Sequence, residues 1–476
     1  MSLGSGVIRP PAFAPEVLHQ LEAGLRGEVL RPGHARYDAA RAVHNALIDR
    51  HPALIVRCAG TGDIVRALAF ARRHGLIVAI RAGGHNVAGK AVCDDGLVID
   101  VSSMKGIDVD PDARIARAQA GLTWGEFDQA TQAHGLATTG GFISTTGIAG
   151  LTLGGGLGWL MRAHGLACDN LRAVEIVTAD GRVLTASDSE HPDLFWAVRG
   201  GGGNFGVVTS FEYRLHPVGP LLGGVIFFPL TEAAAALRLY RETMAGAPDE
   251  LMAYAVFLTS PEGQRMFAVP VCYLGPAEQG EALLRPLRSH PGVAADMVQP
   301  MGYLELQRMF DPGFPAGRLN YWKSSALRDL SDEAIATLVA HFGAVPSAAS
   351  TIAIEPFGGA MARVGADETA FAHRQASYSM VIVGMWTDPA DSAANIHWTR
   401  SLWTAMQPFA DPAVYVNYLD TDDTDRVTAA YGSATYQRLR RVKERYDPAN
   451  VFRVNQNIDP RPERNGPEAS APDGGS

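Results

Sequence analysis

The sequence predicts an α+β chain of two or three domains, and three observations carry that prediction. Its 476 residues exceed what one hydrophobic core organises. Residues 53–80 read as strand, helix, strand. Beyond Pro217, strand-like runs are separated by helices gathered between pairs of them, the pattern of an antiparallel sheet covered on one face. At 47% hydrophobic and 19% charged, the chain has ample material for two cores. The net charge of −9 is not blocked into runs and no basic stripe offers itself to phosphates, so nucleic acid is not an expected partner. No apolar run approaches the ~18 residues of a membrane span, and the opening M-S-L-G-S-G-V-I-R-P-P lacks the apolar centre of a signal peptide. A cytoplasmic protein is expected, monomeric or homodimeric. Cys58, Cys93, Cys168 and Cys272 fall at irregular spacings without a C-x-x-C pair, so buried free thiols are expected, and no metal site.

The elements follow in chain order. The first 50 residues end in a loop-like, polar lead-in. A-L-I-V-R-C (53–58) is a β-rich run. Thr61 is placed as the N-cap of the next helix, with Asp63 in its first turn. Ile64, Val65, Leu68 and Ala71 recur at helical spacing, and Gly75 stops the helix. L-I-V-A-I (76–80) completes a β-α-β unit, and L-V-I-D-V (97–101) is a third strand. Between Thr138 and Trp159 the chain is dense in glycine, which serves close backbone approach and positive φ. V-E-I-V-T-A-D-G-R-V-L-T-A (174–186) reads as a hairpin turning at Asp180-Gly181. V-V-T-S-F-E-Y-R-L from Val207 alternates as a strand. The second texture then begins, with G-V-I-F-F, F-A-V-P-V-C-Y, T-I-A-I-E-P and S-Y-S-M-V-I-V-G-M-W as strands and T-E-A-A-A-A-L-R-L-Y-R as a helix. The tail Pro460–Ser476 is Pro, Gly, Ser and acid, a disordered composition.

Two motifs mislead. G-H-N-V-A-G-K-A (84–91) is one residue short of a P-loop: Lys90 is present, but Ala91 has no hydroxyl for magnesium, and turn and strand follow instead of a helix. G-G-G-N-F-G (201–206) matches G-x-G-x-x-G, yet it lies between a helix and a strand, the reverse of the dinucleotide fingerprint. Three glycine-rich segments in one half (83–89, 147–158, 200–206) still point to a large or flat ligand touched mostly by backbone.

Six ordered motifs resemble one family: R-A-G-G-H-N-V-A-G (81–89), T-T-G-I-A-G-L-T-L-G-G-G-L-G-W (145–159), C-D-N-L (168–171), D-L-F-W-A-V-R-G-G-G-G-N-F-G-V-V (193–208), Y-V-N-Y-L-D (415–420) and Y-D-P-A-N-V-F-R-V-N-Q-N-I (446–458). Over about residues 35 to 460 the chain resembles the FAD-linked oxidases of the berberine bridge enzyme-like branch, within the vanillyl-alcohol oxidase superfamily. The resemblance implies a two-part FAD-binding domain, residues 1–216 and 411–459, with an inserted antiparallel-sheet substrate domain, 217–410, and the tail 460–476 outside both. It implies that the histidine of G-G-H, here His85, is bonded to the 8α carbon of the flavin ring. Many relatives add a second bond from a cysteine at the head of the next glycine loop. That position is Ile143 here, which carries no nucleophile, and Cys168 lies past the loop. A single histidyl link, no cysteinyl link, a less forcing oxidant and a narrower pocket are therefore expected.

By the same resemblance Arg81, Gly83, Gly84 and Asn86 accompany His85 at the cofactor. Gly147, Gly150, Leu151, Thr152, Gly155, Gly156, Gly158 and Trp159 run along pyrophosphate and ring, offering backbone N–H groups. Asn170, Asn204, Gly206 and Val207 serve the adenosine side or flavin edge, and Asn417, Asn455 and Asn457 approach from the returning C-terminal segment. Thr146 corresponds to a gate beside the flavin; threonine is intermediate in size, which favours reaction with O2. Tyr418, and second Tyr415, are expected as the base that takes a substrate O–H proton. The ordinary tyrosine pKa of ~10 calls for a positive neighbour or a shared proton. In a regular strand the two tyrosines lie on opposite faces. Tyr321, Lys323, Glu355, Tyr378 and Trp386 are expected substrate liners, an aromatic set with one or two polar handles. The expected reaction is FAD-dependent oxidation of a small organic molecule (sugar, polyketide-like, aromatic or alkaloid) with O2 as acceptor. Oxidative cyclisation or oxygen insertion, a catalytically silent flavin carrier and nucleotide binding at 84–90 are the alternatives.

Overall fold

The computed structural model describes residues 13–461. The opening M-S-L-G-S-G-V-I-R-P-P, and the tail beyond its first two residues, lie outside them. The fold is α+β, as expected. A four-stranded sheet runs in the order Glu28–Leu30, Leu54–Arg57, Leu97–Asp100, Val78–Arg81. Its last three strands are parallel, with the helix Thr61–Arg73 as crossover, so the third predicted strand inserts between the first two. The lead-in is more ordered than its sequence promised: it holds the helix Pro15–Ala23, the edge strand and a helical turn, Tyr37–Arg41. The reason is Asp63, almost fully buried, whose carboxylate accepts the backbone N–H groups of Arg26, Gly27 and Ala59 at 2.8–3.0 Å. Thr61 is not the cap. It is the first helical residue, and its hydroxyl donates to Glu175 Oε1 at 2.9 Å.

A five-stranded antiparallel sheet follows, in the order Ile107–Asp110, Ile115–Gln119, Val207–Arg214, Leu171–Val177, Val183–Ser187. The predicted hairpin forms. Its closing pair is Thr178 with Arg182, so three residues turn the chain, and Gly181 takes φ +89°. These two sheets share a core built on Trp124, Phe127, Phe195 and Phe211, and residues from Val414 to Ile458 bury in that same core. The ten-stranded antiparallel sheet between them in sequence is covered on one face by the helices Ala233–Ala245, Ala277–Arg288, Asp332–Phe342 and Ser392–Met406. Its other face is turned to the glycine loops.

The C-terminal segment is held by a buried knot. Lys443 and Asp447 pair at 2.7 Å with neither side chain exposed. The same ammonium donates to the Asn204 and Phe452 carbonyls, each at 2.8 Å, while Asp447 accepts from Val451 N and Phe452 N. Removing one partner leaves the other charge buried and unpaired, which costs about 3–5 kcal/mol. Lys443→Met is therefore expected to lower the urea midpoint markedly, while the exposed pair Arg445–Asp193 can be broken with little effect.

Candidate active site

A cavity of about 610 Å³ lies between the glycine loops and the uncovered face of the large sheet. From the first half of the chain Gly83, Gly84, His85, Asn86, Thr146, Gly147, Gly150 and Leu151 reach it, together with Asn204. Glu355, Tyr415, Asn417, Tyr418 and Asn455 enter from the sheet and the C-terminal segment. The structure thus gathers residues more than 350 positions apart in sequence around one space.

His85 stands on the irregular segment that leaves the strand Val78–Arg81. Its loop meets the next one main chain to main chain: a Cβ on Gly83 would lie 2.3 Å from Gly147 N. Both ring nitrogens of His85 face hydroxyls, Nε2 the Thr145 Oγ1 at 3.0 Å and Nδ1 the Thr146 Oγ1 at 3.4 Å. The ring stacks on His44, centroids 4.2 Å apart. Burial, then the neighbouring His44, pushes the His85 pKa down to about 3. The imidazole is therefore neutral, with a free nitrogen lone pair, throughout the physiological range. His44 carried no sequence signal; its Nε2 donates to the Phe314 carbonyl at 3.1 Å.

Residues 415–418 form a helical turn instead of a strand, so Tyr415 and Tyr418 do not take opposite faces. Their rings meet edge to face, centroids 4.8 Å apart. They have different partners. Tyr415 Oη accepts from Gly156 N at 3.0 Å and from Asn417 Nδ2 at 2.8 Å, and Asn417 also donates to the Leu151 carbonyl at 3.1 Å. This pair fastens the glycine loop. Tyr418 Oη donates to Glu355 Oε1 at 2.7 Å. Burial raises the Glu355 pKa to about 7, offset in part by the hydroxyls of Tyr418 and Ser379, and Oε2 has no partner. Tyr418 itself is pushed well above the ordinary tyrosine range by burial and by the Glu355 charge. Of the two aids expected for a tyrosine base, the fold supplies the shared proton, through Glu355, and not the positive neighbour: among the described residues no Lys or Arg side chain hydrogen-bonds either tyrosine.

Several predicted residues lie elsewhere. On the strand Leu319–Leu327 it is Trp322 that faces the cavity, while Tyr321 donates to Asp422 at 2.6 Å and Lys323 pairs with Asp422 and Asp423. On the strand Tyr378–Trp386, Val381 and Val383 face the cavity, whereas Tyr378 and Trp386 turn to the opposite side. Arg81 donates to the Ala40 carbonyl, and Thr152 bonds Tyr213 in the core. Asn170 braces the His164 and Leu166 carbonyls. Gly155, Gly156, Gly158 and Trp159 pack against protein behind the lining, as does Gly206 against Ile176. Val207 opens a strand of the five-stranded sheet, behind the lining, and Asn457 is likewise absent from the cavity wall. Asn204 lines the cavity, but its amide is spent on Gly201, Gln456 and Ile458, a clamp between the 201–204 loop and the C-terminal return. Phe142, Tyr254, Phe310 and Phe314, not singled out in sequence, complete an aromatic wall. Lys90 stands in the lining with no helix after it, so the triphosphate reading has no anion site.

The wall fits a flavin dinucleotide. Nothing lies within 4 Å of where a Cβ on Gly150 or Gly203 would project, so bare main chain faces open space. Asn455 donates to Gly203 and Phe452, leaving Oδ1 a buried acceptor without a partner, suited to a heterocyclic N–H. A neutral histidine against that cradle and a buried carboxylate opposite it are the equipment of a flavin-dependent oxidoreductase. Comparison with known proteins makes the assignment narrower. Residues 52–187 match a family model described as FAD binding domain, and 414–459 one described as berberine and berberine like. An FAD-linked oxidoreductase of Bacillus subtilis, YgaK, is 34% identical over 92% of this chain and 97% of its own. The (R)-6-hydroxynicotine oxidase of Paenarthrobacter nicotinovorans is 31% identical over 92% and 97%. The crystal structure of 6-hydroxy-D-nicotine oxidase from Arthrobacter nicotinovorans superposes with a TM-score of 0.84 at 29% identity, covering 92% of this chain and 98% of that one. The chain belongs to the berberine bridge enzyme-like family of FAD-linked oxidoreductases. It is an enzyme, and its cofactor is FAD. No helix among the described residues is long and apolar enough to cross a membrane.

Proposed function

We propose that the protein is an oxidase of a small, largely apolar cyclic molecule, oxidised at an alcohol or activated C–H bond, with FAD held by a single bond to His85 and O2 as acceptor. FAD, when bound, accepts a hydride from the substrate carbon and returns the electrons to O2 as hydrogen peroxide. The observation that carries the reading is the Glu355–Tyr418 pair, a 2.7 Å hydrogen bond at the cavity wall beside Trp322, Tyr254, Val381 and Val383. A carboxylate with a pKa of about 7 is matched to proton abstraction near neutrality. Tyr418 stands beside it and relays: its Oη takes the substrate proton as its own passes to Glu355. This replaces the tyrosine base with a carboxylate base acting through a tyrosine. Tyr415 and Asn417 hold the glycine loop and take no proton. The aromatic wall favours aromatic, polyketide-like or alkaloid substrates over sugars, which need many polar partners. Residues 1–216 and 411–459 act as the FAD domain and 217–410 as the substrate domain in this reading.

Peroxide yield against product, measured over a panel of aromatic alcohols, alkaloids and oligosaccharides, tests the reading. One peroxide per product with an aromatic or alkaloid substrate supports it; product without peroxide favours oxidative cyclisation or oxygen insertion, and turnover of oligosaccharides alone overturns the substrate class. Tyr418→Phe is expected to lower kcat by roughly 10–100-fold, toward the lower part of the general-base range, with KM little changed. The lost hydroxyl had held the Glu355 pKa down, so the acid limb of the rate profile moves to higher pH in this variant. Unchanged turnover would take Tyr418 out of the proton path, and no turnover of any substrate by the wild type would leave a flavin carrier as the better description.

A further inference from the structure

The loop 141–145 runs along the cavity, with Gly141, Phe142 and Ile143 in the wall. From beneath, main chain anchors it: Gly125 N donates to the Ser144 carbonyl at 2.8 Å and Trp124 N to the Thr146 carbonyl at 2.9 Å. From the other side a segment of the large sheet's insertion, residues 307–314, grips it. Asp311 Oδ1 accepts from Ser144 N at 2.8 Å and Oδ2 from Ser144 Oγ at 2.6 Å. Gln307 Nε2 donates to the Gly141 carbonyl at 2.9 Å. Phe310 stacks on Trp159 with centroids 5.5 Å apart, and Met309, Phe310, Gly313 and Phe314 line the cavity. The far end of the segment is tied by Phe314, whose carbonyl accepts from His44, the ring stacked on His85. One strap therefore spans the cavity between the 141–145 loop and the histidine pair.

We propose that Asp311 is a positioning residue of this active site: its paired hydrogen bonds to Ser144 hold the 141–145 loop in register with the strap, doing by charge-assisted hydrogen bonding what a second covalent tether at Ile143 cannot do here. Two bonds from one carboxylate to the backbone and the side chain of one residue fix position and rotation together. Ser144 adjoins Ile143, so the constraint falls where a cysteinyl attachment would fall. The effect is on the width of the cavity between Phe142 and Phe310, and so on substrate binding more than on the chemical step. The proposal rests on the reading of the cavity as the flavin and substrate site.

The test is a double-mutant cycle on the flavin-loaded enzyme. Asp311→Ala is expected to raise KM about tenfold, the equivalent of one net charge-assisted hydrogen bond, with kcat changed less than about twofold. Ser144→Ala, which removes one of the two bonds, is expected to raise KM about threefold. The double variant should match Asp311→Ala, because its partner is already gone, where independent effects would multiply to about thirtyfold. Asp311→Asn, which keeps one acceptor but loses the charge, should fall between wild type and Asp311→Ala. Amide exchange in the 141–145 peptide should quicken in Asp311→Ala and not in the 200–206 loop. Multiplying effects, an unchanged KM, or a fall in kcat alone overturns the proposal, and Ser144→Ala with Asp311→Asn decides it if the alanine variant folds poorly. A wild type that holds no flavin would sink the functional reading instead, a result visible before any variant is compared.

Discussion

Acid-precipitated His85→Ala is expected to be colourless, whereas the precipitated wild type stays yellow and its intact mass exceeds the polypeptide's by one FAD. The physical reason lies in the imidazole. A nucleophilic nitrogen needs its lone pair, and burial together with the stacked His44 keeps the ring neutral down to a pKa of about 3. Attachment should therefore be insensitive to pH between about 5 and 9, a window far above that pKa. The Thr145 and Thr146 hydroxyls hold the ring plane from both nitrogens. The Gly83–Gly147 contact leaves no space there for a side chain. Only one link is expected, because the neighbouring wall position is Ile143 and the free cysteines are all buried. Pigment that washes off the denatured wild type, or a mass equal to the bare chain, refutes the covalent assignment while leaving FAD binding intact.

Glu355→Gln is expected to lower kcat by about 10²–10⁴-fold, the usual share of a general base. The pH profile gives the sharper reading. The carboxyl is protonated below its folded pKa of about 7, so wild-type kcat should fall tenfold per pH unit on the acid side and level off above neutrality. The variant should show no such limb. Stability should run the other way. A glutamate that loses its proton in the ordinary carboxylate range when unfolded, and near 7 when folded, makes the folded state bind more protons between those values. Stability then falls as pH rises through that window, and Glu355→Gln removes the slope. A site carboxylate held against its own solvation is a functional signature. An unshifted acid limb in the glutamine variant would pass the proton-accepting role to another group.

Glu355 was legible only as a candidate substrate liner, a polar handle in an aromatic set; that it is buried with a raised pKa came from the structure. Its pairing with Tyr418, 63 residues away in sequence, was not legible. The substrate liners show why. All nine residues of the strand Tyr378–Trp386 are buried, so alternation separates odd from even positions without telling which set meets a ligand and which meets a helix. Tyr378 and Trp386 fell on the helix side, and Trp322 took the place expected for Tyr321 and Lys323. Asn204 was expected as a cofactor contact from the resemblance, and its amide is consumed by Gly201 and the C-terminal return.

What the sequence by itself determined was local: the β-α-β unit, the hairpin, the glycine loops, the histidine among them, and through six ordered motifs the family and the cofactor. Glycine spacing and hydrophobic period act over a few residues, so they can be read along the chain. What only the tertiary structure decided was which groups face each other: the His44–His85 stack, the Glu355–Tyr418 proton pair, the Lys443 knot and the Asp311–Ser144 latch. Those depend on contacts across up to 239 residues and on burial, which shifts a carboxyl toward neutrality and leaves an imidazole uncharged.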